Sequence, residues 1–174
     1  MLPRGLLIVS LLGVLPVLAA AAEQSCDSGK PTTAPMSRFK DGGNGALIDT
    51  QSKKVWLRCS LGMNWNGGSC EGNSLTYSWS AAEAAVAELN AKQAGGHGNW
   101  RLPTVDELNS IVEKQCFKPA ISLDAFPFSP EAGFWSATSV EGANPRAWMV
   151  HFLHGQQYIA NKEQSWRVRP VADK

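Results

Sequence analysis

Beyond its first 22 residues this chain of 174 has no long apolar run, no CxxC pair and no surplus of either charge. The missing run excludes a membrane-spanning helix there, since crossing the hydrocarbon core takes about 20 apolar residues. Without closely spaced Cys or His ligands a structural zinc site has nothing to close around. Sixteen basic residues face 15 acidic ones, so the basic surplus that drives counterion release on nucleic acid is lacking, and no nucleic-acid partner is expected. Histidine is scarce, with only His97, His151 and His154. No serine sits in the glycine frame of a nucleophile elbow, and no cysteine follows Cys116.

What the chain does have begins with a leader. Arg4 supplies a short basic start, residues 6–18 are apolar except for Ser10, Gly13 and Pro16, and Ala20-Ala21-Ala22 offers small residues to a peptidase. This pattern predicts a secretory signal peptide, residues 1–22, cleaved after Ala22. The protein is therefore expected to be exported, to the periplasm or beyond. Glu23-Gln24-Ser25 before Cys26 lacks the small and aliphatic residues of a lipoprotein signal. Without Arg4, basic and acidic residues balance, and the remaining length suits one domain.

All four cysteines, Cys26, Cys59, Cys70 and Cys116, lie in that exported part. An even count in an oxidising compartment predicts two disulfides. Of the three pairings, Cys59–Cys70 is favoured because residues 60–69 are loop-like and a clasp would order them. Closing such a loop stabilises by roughly 3 kcal/mol on a chain-entropy model. Cys26–Cys116 then ties the N-terminal segment to the region after the second helix.

Residues 23–36 are polar and are expected to lie along the surface. Segments 38–40 and 46–49 flank Asp41-Gly42-Gly43-Asn44-Gly45 and read as a hairpin. Residues 53–59 follow as a strand, with Val55 and Leu57 on one face and Trp56 on the other. Ser78 opens a helix in which Trp79, Ala82, Val86 and Leu89 recur at helical spacing, ended by Gly95-Gly96-His97-Gly98. A second helix is expected over 105–114, with Leu108, Ile111 and Val112 buried. Strands are expected at 134–138, 147–152, 156–159 and 166–171. Strands, two helices, a long loop and a strand meander make an α+β fold with antiparallel sheet.

The segment Asn99-Trp100-Arg101-Leu102-Pro103-Thr104-Val105-Asp106-Glu107-Leu108 is the most specific stretch. Thr104 and Glu107 have the spacing of a capping box, and Pro103 biases Leu102 to extended dihedrals. Together with Arg38-Phe39-Lys40-Asp41, Val55-Trp56-Leu57-Arg58-Cys59-Ser60-Leu61-Gly62 and Trp79, it resembles segments of one family. Phe134-Trp135-Ser136-Ala137-Thr138, Ala147-Trp148-Met149-Val150 and Val168-Arg169-Pro170-Val171 continue the likeness in the same order. The family it resembles is the Lcl C-terminal domain family, a bacterial exported group, and the likeness covers about residues 37–172. The resemblance implies a C-type-lectin-like fold, two helices on a small twisted antiparallel sheet, occupying residues 37–174. Members of that family include adhesin-type domains that bind glycans, and they share no catalytic residues. Trp100-Arg101-Leu102-Pro103-Thr104 is also similar to a segment of formylglycine-generating sulfatase-modifying enzymes. Their reactive cysteine pair lies near the C-terminal end, where this chain has no cysteine.

Candidate residues follow from these readings. Trp65, with Asn64 and Asn66, lies in the Asn/Gly-rich clasped loop with no apolar periodicity around it, and is the leading binding candidate. The other six tryptophans lie in or beside periodic elements and are expected to be mostly core or corner residues. Asp41, Asn44 and Asp49 are oxygen ligands among glycines and a weak calcium candidate. The Glu-Pro-Asn and Gln-Pro-Asp triplets of calcium-dependent sugar binding do not occur. His151 and His154 could meet a metal only if both point one way, and His97 is expected in solvent. The expectation is a non-enzymatic binding module without a cofactor, presenting loops 60–76 and 117–145 to a protein or glycan. An enzyme on the same scaffold, or a periplasmic inhibitor or assembly factor, is the alternative.

Overall fold

A computed structural model describes residues 23–142 and 144–174; the expected leader and its cleavage point lie outside them. The elements run β1 (Ser25–Cys26), β2 (Phe39–Gly43), β3 (Ala46–Asp49), β4 (Val55–Leu57), β5 (Met63–Trp65) and β6 (Cys70–Gly72). After α1 (Trp79–Ala91) and α2 (Val105–Ser110) come β7 (Cys116–Phe117), β8 (Gly133–Ser139), β9 (Arg146–His151), β10 (Gln156–Asn161) and β11 (Val171–Ala172). One sheet has the order β11-β4-β3-β2, a second β10-β9-β8, and β5–β6 and β1–β7 are two-stranded ribbons. The pairings within these sheets are antiparallel, so the α+β expectation holds.

The first hairpin turns at Asn44 and Gly45, both at positive φ, between the paired residues Gly43 and Ala46. That is the Asn-Gly chemistry of a two-residue hairpin turn, which glycine enters without a Cβ penalty. β4 lies between β11 and β3, and Val55 and Trp56 are both fully buried. The expected two-faced strand is thus covered on both sides. One apolar cluster joins Phe39, Leu47 and Trp56 to Leu108, Ile111, Phe126, Phe134 and Phe152. The other joins Val55 to Ala82, Val86, Trp100, Leu102, Trp135 and Met149.

α1 begins where the sequence predicts, with the Ser78 hydroxyl accepting from the Ala81 N–H. α2 is shorter than the expected 105–114. Ile111 already leaves helical dihedrals, although Leu108, Ile111 and Val112 are buried. The chain departs there to place Glu113 beneath the N-terminal segment, where its carboxylate accepts from the Thr33, Ala34 and Gln115 N–H groups. Burial pushes the Glu113 carboxyl up, but these donors outweigh it and hold it below the usual range. Residues 23–36 are consequently pinned, and Ala34 is fully buried.

Two further expectations change. Of 166–171, only Val171 continues into a strand, pairing with β4. Trp166 bridges Tyr77 and Arg167 bridges Phe134, while the Val168 and Pro170 carbonyls accept from Leu61 and Leu57. A segment shared among so many neighbours cannot keep one ladder, and Pro170 has no N–H to donate. Residues 117–145 are not mainly a displayed loop either. Ala120, Ile121, Ala125 and Phe126 are fully buried, and β8 occupies 133–139. Arg169 is buried without a carboxylate partner among the described residues; it donates to the Leu57 and Arg58 carbonyls and to the Ser60 and Ser129 hydroxyls. Burial lowers its pKa to about 9.

Candidate functional site

The Trp100–Glu107 corner is built as its spacing predicts. The Thr104 hydroxyl accepts from the Glu107 N–H at 3.1 Å, and the Glu107 carboxylate accepts from the Thr104 N–H at 2.8 Å. The same carboxylate receives both arms of the Arg101 guanidinium at 2.7 Å. Burial raises the Glu107 carboxyl, but the Arg101 and Thr104 donors prevail and leave it below its ordinary value. Trp100 is 3% exposed and its indole N–H donates to the Ala94 carbonyl at 2.7 Å. Leu102 and Pro103 are buried beside it. Polar capacity at this corner is spent within the chain.

Residues 60–76 form a hairpin, not an unstructured loop. Asn64 pairs with Glu71 and Trp65 with Cys70, and the Cys59–Cys70 disulfide fastens β6 to the residues following β4. Cys26–Cys116 joins register partners in the β1–β7 ribbon, so both expected pairings are present. Asn66 is the correction here. Its Oδ1 accepts from the Gly68 and Ser69 N–H groups and its Nδ2 donates to Glu71. The turn uses the side chain that a ligand would need.

Trp65 is half-buried and lies against the first hairpin turn. A Cβ added to Gly45 would fall 2.7 Å from the Trp65 Cβ, so a residue without one lets the two hairpins meet. The Arg58 guanidinium sits 4.8 Å from the indole centroid, a cation–π contact. Arg58 also pairs with Asp41 at 3.3 Å. The Gly43 N–H, then Arg58, holds the exposed Asp41 carboxyl below its usual value.

Trp65 borders a cleft of about 390 Å³ between the β5–β6 hairpin, the β2–β3 turn and the C-terminal half of α1. Leu57, Leu61, Ala85 and Leu89 supply apolar lining, Tyr77 a second aromatic ring, and Asn44, Asn64, Glu88 and Lys92 polar groups. Burial, then the Glu88 charge, raises the Tyr77 phenol, so it remains a neutral hydrogen-bonding group at neutral pH. Tyr77, Glu88, Lys92 and Arg58 were not among the predicted site residues. The only sequence signal for them is the four-residue spacing of Glu88 and Lys92 at the end of α1, beside Ala85 and Leu89.

The calcium candidates are not brought together. Asp49 is buried opposite Phe39 while Asp41 is exposed opposite Leu47, and Asn44 lies in the turn itself. Asp49 is instead spent on Arg38, the Ser52 hydroxyl and the Gln51 N–H. Burial pushes its carboxyl up, yet these partners hold it at about 2. No group of three His, Cys, Asp or Glu could hold a metal among the described residues. His97 is half-buried, edge-on to Trp100 at 5.4 Å, not free in solvent. His151 and His154 share a hollow of about 100 Å³ with Leu153 and Tyr158. The His151 Nδ1 accepts from the Leu153 N–H, and burial, then His154 and Arg167, lowers its pKa. From 117–145, the exposed part centres on Phe128, 65% exposed, over a hollow of about 420 Å³ walled by Pro119, Leu123, Pro127 and Pro130.

The model of the Lcl C-terminal domain family matches residues 45–172. That is most of the chain, and the chain belongs to this family. No curated protein matches it. The match leaves β1 and β2 outside, and includes the capped corner, the disulfide-fastened hairpin and the cleft lining except Asn44. No described helix is long and apolar enough to cross a membrane.

Proposed function

We propose, from membership of the Lcl C-terminal domain family, that this protein is an exported, non-enzymatic binding module on a C-type-lectin-like scaffold. It recognises a glycan or protein partner in the cleft beside Trp65. Two helices, short antiparallel sheets and a C-terminal strand closing on the early hairpin support the lectin-like reading. Two disulfides suit an oxidising compartment.

The cleft carries the proposal. A rigid wall with an aromatic ring, apolar lining and a few polar groups is the composition of a ligand pocket. The apolar face of a sugar ring or an aliphatic side chain would lie against Trp65 or Tyr77. Asn44, Asn64, Glu88 and Lys92 would meet its hydroxyls or amides. The hollow beside Phe128 is the second contact surface. The alternative of an oxidase resembling the formylglycine-generating enzymes is disfavoured, because the four cysteine sulfurs are committed to two structural bonds.

A glycan array and a pull-down from periplasmic extract, each run with the wild-type protein and Trp65→Ala, test this reading. Retention by the wild type that falls at least tenfold in the variant is expected. Equal binding by both proteins would remove Trp65 from the site.

A further inference from the structure

β10 is the open edge of its sheet, and it carries none of the devices that keep a strand edge from pairing. Its six residues, Gln156-Gln157-Tyr158-Ile159-Ala160-Asn161, include no charge and no proline, and its register against β9 is unbroken. β2, one of the two edges of the other sheet, differs. β2 carries Lys40 and Asp41 and is interrupted by an irregularity between Asp41 and Gly43. Charges and bulges on edges are how proteins prevent strand addition. β2 is defended and β10 is not.

The backbone of β10 shows which groups are free. Gly155 donates to the His151 carbonyl and Lys162 to the Pro145 carbonyl. By antiparallel alternation, Gln156, Tyr158 and Ala160 then turn their main-chain groups toward β9. Gln157 and Ile159 turn theirs outward. The outward N–H of Asn161 is taken by the Gln164 side chain at 3.1 Å, which closes that end. The Gly155 turn closes the other. Tyr158 and Ile159 are 44% and 46% exposed.

We propose that β10 pairs antiparallel with β10 of a second copy of this chain, about a two-fold axis at Tyr158. In that register Gln157 faces Ile159 of the second copy and Ile159 faces its Gln157. Each of these pairs exchanges two N–H···O bonds, so the free edge groups are satisfied reciprocally. Gln156 meets Ala160, a long side chain against a small one, and Tyr158 meets Tyr158. No charge opposes a like charge along the ladder. β8, the other edge of this sheet, already spends its outer groups, the Trp135 and Ala137 N–H groups on the Arg167 and Pro103 carbonyls and the Gly133 carbonyl on Arg167. Pairing therefore does not continue from it, and the two-fold arrangement closes on itself as a dimer.

Sedimentation of the full exported chain over a wide concentration range tests this. A concentration-dependent species of twice the monomer mass is expected. Ile159→Pro removes an outward N–H that the β9–β10 ladder does not use, and edge strands admit proline. That variant should keep the wild-type circular dichroism and weaken dimerisation by about tenfold or more. If Ile159→Pro does not fold, Tyr158→Cys decides. The two Tyr158 positions face each other at a close, non-hydrogen-bonded pair, so air oxidation should give a covalent dimer, whereas Ile159→Cys should not. A wild type that remains monomeric throughout, a dimer unaffected by Ile159→Pro, or equal cross-linking at both positions overturns the proposal.

Discussion

Two tryptophan–arginine pairs organise this domain in opposite ways. Trp100 and Arg101 stand at the entry to α2, where the indole N–H, the guanidinium and the Glu107 carboxylate find partners within the corner. Trp65 and Arg58 stand at the meeting of two hairpins. There the guanidinium covers one face of the ring, reaches only an exposed carboxylate, and leaves its buried Nε without a partner among the described residues. The corner draws its partners from a helix start, which presents N–H groups and a carboxylate in fixed geometry. Turn tips offer fewer partners. Where internal partners run out, a cleft remains that a ligand can complete.

The largest expected effect lies at the closed pair. Trp100→Ala should cost about 4 kcal/mol, the order found for emptying a buried aromatic site. Chemical denaturation with both disulfides intact measures it, and a loss below about 1 kcal/mol would place Trp100 with the open pair. Next comes the fastening of the open pair. Replacing Cys59 and Cys70 together by Ser should cost about 3 kcal/mol through the released loop. It should also abolish binding at the cleft while leaving the Arg101–Glu107 corner formed. Amide exchange, slow at Glu107 and fast at Asn66, whose N–H is bonded to the Ser69 carbonyl in the intact hairpin, would read the corner and the hairpin in one experiment.

Asp49 supplies an acid test on the same sheet. Its carboxyl titrates at about 2 in the folded chain against an ordinary 3.8, so the unfolded chain binds its proton more readily. The resulting stabilisation, about 2 kcal/mol, is complete above the unfolded value and lost as pH falls from there through the folded one. Asp49→Asn should remove that part of the acid dependence and leave Arg38 buried without its counter-ion. An acid unfolding profile identical to that of the wild type would mean that the Arg38 pair gives no such linkage.

These contrasts also explain what the sequence disclosed. Thr104 and Glu107 act on each other across three residues, so their roles are legible from spacing alone. The Cys59–Cys70 pairing was legible because the intervening segment needed a clasp. Trp65 stood out through the lack of periodicity around it, but its place on a strand did not. Asn66 was assigned to the ligand, although Asn66-Gly67-Gly68-Ser69 carries turn chemistry that consumes its side chain. The shortening of α2 was hidden because its cause, the claim of Thr33 and Ala34 on Glu113, comes from about 80 residues away. Arg58 meets Trp65, and Tyr77 and Lys92 come to the same cleft, only through tertiary packing; apart from the Glu88–Lys92 spacing no local pattern announces them.

The smallest effect on stability is expected at Trp65, where binding is nonetheless expected to suffer. Trp65→Ala exposes Gly45 and frees Arg58, but it removes a half-buried ring at the rim rather than one sealed in the core. Asn66 would still close its turn, and the disulfide would still hold β6. The loss should be about 1 kcal/mol, a quarter of that at Trp100, with unchanged far-ultraviolet circular dichroism. Matched denaturation curves of Trp65→Ala and Trp100→Ala test the contrast directly. If the two variants lose similar stability, Trp65 is a structural plug of its own hairpin and the open pair is closed after all. If only Trp100→Ala is destabilised, the ring at Trp65 is retained for something other than folding, and the cleft beside it is where that role is exercised.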